Sequence, residues 1–112
     1  MLSVQVPQER RLIEANLQVV EERLNYRLPD SGVGIRRYEG DGYLGGVIGC
    51  VNTLWFALVC LQLAVSYRDE DPDRAERLRN KAEGYLRFCL QHTTPTGLLP
   101  ELIGTRPEYP YW

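Results

Sequence analysis

The residues best suited to chemistry crowd into one short run, Gly34-Ile35-Arg36-Arg37-Tyr38-Glu39-Gly40-Asp41-Gly42-Tyr43-Leu44-Gly45-Gly46. Charged groups and tyrosine rings alternate there with glycines, and seven of the chain's ten glycines fall between Gly32 and Gly49. A backbone of this kind must turn repeatedly or let something approach closely. Rings interleaved with Arg37 and Asp41 suit a polar ligand, carbohydrate included. The other reading is a structural loop in which Arg37 and Asp41 pair with each other. A second candidate is Glu101, set directly after Pro100 in a segment that should follow a helix end, where the backbone has little freedom.

Other chemistries are poorly served. His92 is the only histidine, and Cys50, Cys60 and Cys89 form no Cys-x-x-Cys pair, so neither a zinc site nor any other metal or cofactor is expected. Cys50 and Cys60 would stand about 15 Å apart along one helix, too far to bridge. Cys89 can approach one of them from a neighbouring helix, but an odd count favours reduced, buried thiols. The formal net charge of −2 offers no pull towards nucleic acid.

The elements that must position these residues follow from hydrophobic spacing. Residues 47–67 carry no charge, and their apolar positions fall all round a helical wheel, the pattern of a helix wrapped by others. The run is long enough to cross a bilayer. Asn52, Thr53, Gln62 and Ser66 argue instead for a buried helix, and with no signal-like N-terminus a cytoplasmic setting is expected. Upstream, Ile13, Leu17, Val20 and Leu24 line one face of a helix over 7–26, with Glu14, Glu21, Glu22 and Arg23 on a solvated exterior. Downstream, Asp71 as N-cap and Pro72 as first residue start a third helix that should stop by Thr94, before Pro95.

The short acidic turn makes residues 47–92 an antiparallel helical hairpin. Residues 27–46 become a long glycine-rich loop, too apolar at Ile35, Tyr38, Tyr43 and Leu44 for a free linker, and 93–112 a loop and tail. Both loops leave the same end of the hairpin, so Arg37, Asp41 and Tyr43 should converge with Glu101. The expected architecture is all-α, three main helices in a single partial domain.

The run GIRRYEGDGYLGG, then NTLW in the next helix, then TPTGLLPEL, resembles the glucoamylase family of glycoside hydrolases over most of Gly34 to Ile103. The family pattern Arg-Tyr-x-x-Asp-x-Tyr is met by Arg37, Tyr38, Asp41 and Tyr43, and its Leu-Pro-Glu segment by Leu99, Pro100 and Glu101. The resemblance implies an (α/α) toroid of helical hairpins and an inverting mechanism. In such a mechanism a carboxylate activates water while a second acid, roughly 6.5–9.5 Å away, protonates the leaving oxygen. By that resemblance Glu101 is the general base. Arg37 and Asp41 hydrogen-bond sugar hydroxyls, Tyr38 belongs to the same substrate-binding signature, and the ring of Tyr43 receives a pyranose.

The family's general acid lies upstream of the matching region, and a closed toroid needs about 300 residues. The resemblance therefore implies a fragment acting on an α-glucan or oligosaccharide, incomplete or inactive as an isolated chain. Self-association or a complementary chain would cover its exposed faces. Where the family carries Pro and Trp after the tyrosine-rich turn, this chain has Gly45-Gly46-Val47-Ile48-Gly49. That favours the alternative, a non-catalytic assembly module like the regulatory subunits of phosphorylase kinase.

Overall fold

A computed structural model describes residues 7–28, 32–41, 47–106 and 109–111, with side chains described for 8–28, 32–41 and 48–104. Among the described residues there are three helices: α1 (Pro7–Leu24), α2 (Cys50–Tyr67) and α3 (Pro72–Gln91). The chain is not all-α. Strands β1 (Asn25–Leu28) and β2 (Gly32–Ile35) form one antiparallel pair. Strands β3 (Val47–Gly49), β4 (Leu102–Arg106) and β5 (Tyr109–Tyr111) form a second antiparallel sheet in that order. This mixed architecture overturns the expected all-α, toroid-like array.

The first helix expected over 7–26 ends at Leu24, and the segments expected as loops at 27–46 and 93–112 both contain strands. The expected helix start at Val47 is also displaced. Val47 to Gly49 pair in register with Gly104 to Leu102 before the helix begins. Val33, Ile35, Ile48 and Ile103 supply the β-branched residues that suit a half-buried pleat.

The helical hairpin forms for local reasons. Asp71 accepts a hydrogen bond from the backbone N–H of Arg74 at 3.1 Å, and Pro72 occupies the first helical position, where its missing N–H costs nothing. Both small sheets then pack at the end of the hairpin opposite this turn. Leu28, Ile48, Cys50, Phe88, Cys89 and Ile103 make one buried cluster there. A second cluster, around Ile35, Phe56, Cys60, Ala82 and Tyr85, receives Leu17, Val20 and Leu24 from α1.

Gly34 is fitted to this packing. A Cβ at that position would lie 2.4 Å from Ile48 Cγ2 and 2.8 Å from Phe88 Cε1, so only glycine lets β2 lie this close to its neighbours.

The acids of α1 depart from a purely solvated exterior. Glu21 accepts from Lys81 Nζ at 2.9 Å and from the Tyr85 hydroxyl at 3.1 Å, and Glu14 accepts from the hydroxyl of Tyr67. Arg10 donates to both carboxylate oxygens of Glu70, at 3.1 and 2.9 Å, and its guanidinium lies 4.3 Å over the Tyr67 ring. These contacts anchor α1 across the hairpin.

Cys89 meets Cys50 in the first cluster, and all three cysteines are free and buried. Burial, together with the neighbouring Cys50 thiol, pushes the Cys89 thiol up to about 12, and burial pushes Cys60 up to about 11. The unfolded thiols ionise near 9.0, so their neutral burial stabilises the fold fully below pH 9. That contribution is lost as pH rises from 9 towards 12. Urea titrations are expected to show stability falling over this window by up to about 1.4 kcal/mol per pH unit per thiol. The fall should be shallower in Cys89→Ala; identical slopes in the two proteins would contradict the assignment.

Candidate functional site

The site is built around the first turn of α2. Thr53, fully buried, is its pin: its hydroxyl accepts from the backbone N–H of Ile35 at 2.9 Å and donates to the carbonyl of Gly49 at 2.8 Å. The end of β2 is thereby tied to the start of α2. The turn that follows β2 begins with Arg36, whose N–H donates to the Leu24 carbonyl at 2.8 Å. It tightens at Gly40, whose φ of +79° lies in the left-handed region that glycine tolerates. It ends at Asp41, whose N–H reaches back to the Tyr38 carbonyl at 3.3 Å.

Asp41 is completely buried. Its carboxylate is gripped by Arg37 in a two-pronged pair, Nε to Oδ2 at 2.8 Å and Nη2 to Oδ1 at 3.1 Å. The hydrogen bond that Arg37 donates to Asp41 is the main cause raising the Arg37 pKa, and Tyr38 and Glu101 add smaller electrostatic contributions. Arg36 donates through Nη2 to the Asp41 carbonyl and lies 5.2 Å over the Tyr26 ring. Its Nε is buried without a partner among the described residues.

Glu101 arrives from the other direction. After α3 the chain makes a tight turn in which Thr94 N–H donates to the Leu98 carbonyl at 2.7 Å and Gly97 N–H to the Thr94 carbonyl at 2.8 Å. Pro100 is buried, and the carbonyl of Glu101 accepts from the N–H of Cys50 at 2.9 Å. That bond satisfies one of the helix-end N–H groups that have no partner within α2. The Glu101 carboxylate is left exposed.

Arg37 flanks the same turn, its Cγ 3.2 Å from where a Cβ on Gly49 would stand. Arg37, Asp41 and Glu101 therefore share one end of α2. Tyr38 stands beside them, 55% exposed, with the Arg37 guanidinium 5.6 Å from its ring centre. Tyr43 lies outside the described residues.

Chemically this is an exposed carboxylate next to a cation held rigid by a buried anion, with an open aromatic face at its edge. Glu101 can accept hydrogen bonds or a proton from water. Asp41 is committed to Arg37 through both oxygens. Two contributors were not singled out from sequence as parts of the site. Thr53 was legible as a polar residue three places into an apolar helix, and Arg36 was masked by its neighbour Arg37.

No protein-family model, curated protein or solved structure matches this chain.

Proposed function

We propose that the chain carries the base-bearing part of a glucoamylase-like carbohydrate site that engages α-linked glucans in a cytoplasmic setting. One observation supports this reading above the others: Arg37 and Glu101, 64 positions apart in sequence, flank the same helix start, with the electrostatic pull of Glu101 felt at Arg37. Glu101 acts as general base towards water, exposed as that role requires. Arg37 donates to vicinal sugar hydroxyls, Asp41 acts through Arg37 by fixing its fork, and Tyr38 and Tyr43 offer rings to a pyranose.

Inverting hydrolysis needs a second carboxylic acid to protonate the leaving oxygen. By the resemblance that acid lies outside the matching region, and Asp41 is occupied by Arg37, so glycoside cleavage by this chain alone is negligible in this reading. The closed Arg37–Asp41 pair also favours the second reading, a non-catalytic assembly module that keeps the pair as a structural clasp.

Backbone amide NMR during titration with maltotriose separates the two. The expected result is saturable shifts at Tyr38, Cys50 and Glu101, weakened about tenfold by Tyr38→Ala, with no glucose or maltose released. Absence of shifts at millimolar sugar overturns the carbohydrate reading. Robust maltose release abolished by Glu101→Gln overturns the claim of negligible activity.

A further inference from the structure

Among the described residues, one side of α2 is left partly open. Its buried residues, from Cys50 and Thr53 to Leu63 and Tyr67, occupy one side. The opposite side carries Val51, Trp55, Leu58, Gln62 and Val65, spaced four, three, four and three, the repeat of a helix-pairing seam. Val51, Trp55 and Val65 are 53%, 57% and 66% exposed. The adjoining edge of α3 ends in Leu90, 65% exposed, and an open groove between the helices is lined by Leu61, Val65, Ala75 and Arg79.

We infer that this face of the α2–α3 hairpin is a homodimer interface, on which a second copy of the chain lies antiparallel, α2 on α2 and α3 on α3. Area and charge both point to a second copy. The 18 residues of α2 run about 27 Å, and two helices side by side span about 20 Å. A face of that size covers about 540 Å² per partner, about 1,100 Å² for the pair, above the roughly 1,000 Å² that a specific interface needs.

Leu58 and Lys81 are equally far from the turn, nine positions before Tyr67 and nine after Pro72, and so stand level. A two-fold axis at that level sets Val51 on the second copy's Val65. It also sets Arg79 against the second copy's Glu83, and Glu76 within one residue of the level of its Arg87. All four of these charged residues are exposed. The edge reads acid, base, acid, base, so it is complementary to itself when reversed. A parallel pairing would set like charges together.

Trp55 comes within one residue of the level of the second copy's Gln62, whose Oε1 is buried without a partner among the described residues. Turning that amide outward would give the orphan acceptor an indole N–H. The same charged edge argues against a bilayer as the occupant, since those four residues would have to be desolvated with the seam.

Sedimentation velocity and light scattering on the full chain at micromolar concentration test the inference. A dimer is expected, with self-association about tenfold weaker or worse in Trp55→Glu. Folding of that variant is checked by circular dichroism, its exposed position leaving the core intact. Arg79→Glu and Glu83→Arg are each expected to be monomeric at concentrations where the parent is dimeric, and mixing the two should restore a dimer. A monomeric parent, a dimer indifferent to Trp55→Glu, or no recovery on mixing would each overturn the inference. So would a monomer in solution that partitions onto phosphatidylcholine vesicles. None of these outcomes depends on sugar binding at Arg37 and Glu101.

Discussion

Phe88→Ala is expected to cost about 3–5 kcal/mol of folding stability, the range for emptying a large aromatic site in a packed core. Phe88 is 2% exposed and is a large side chain through which α3 packs on both sheets. It packs in the cluster with Leu28 of β1, Ile48 of β3 and Ile103 of β4. It also closes over Gly34 of β2. Little backbone can collapse into the resulting hole, because strands meet it from two sides. A domain of this size has only about 5–15 kcal/mol in total, so the variant should sit near the edge of folding. Equilibrium urea unfolding followed by circular dichroism reads the change in midpoint. A loss below about 1 kcal/mol would mean that the sheets do not depend on this ring.

The second large effect is expected at Arg37. Arg37→Ala leaves the carboxylate of Asp41 in a fully buried position with its principal cation removed. Breaking a buried pair from one side costs about 3–5 kcal/mol. About a third of the Arg37 side chain reaches solvent, and water screens part of the penalty, so about 2–3 kcal/mol is expected here. Arg37→Met combined with Asp41→Leu should recover much of the loss, since no charge is then left buried. A double variant as unstable as the single one would show that Arg37 matters through packing rather than through the pair. Arg37→Lys retains charge but not the two-pronged geometry, and should fall between parent and alanine variant.

These two residues mark how unevenly the fold could be read. Arg37 with Asp41 was visible as a possible pair four residues apart, and the clasp is local, closed within a single turn. Helix spans were visible for the same reason: Asp71 and Pro72 signal a helix start, and the apolar spacing of Leu17, Val20 and Leu24 signals an inward face. The strands were not visible. Val47 to Gly49 is too short for an alternating pattern, and its partner, Leu102 to Gly104, lies more than fifty residues away. In β2 the glycines at 32 and 34 hide the alternation, because the face they leave open is filled by Phe88 and Ile48.

The sequence by itself determined the helical hairpin, its capped turn, the neutral buried cysteines and the meeting of two distant loops at one hairpin end. Each of these depends on residue type and spacing within a turn or two of helix. Only the tertiary structure decided that β pairing ties those loops down, and that Thr53 and the Glu101 carbonyl hold the start of α2. It alone also left one side of an uncharged helix partly open among the described residues. Non-local pairing and the partition of a helix surface depend on which distant backbone comes near, and no single-chain periodicity carries that information.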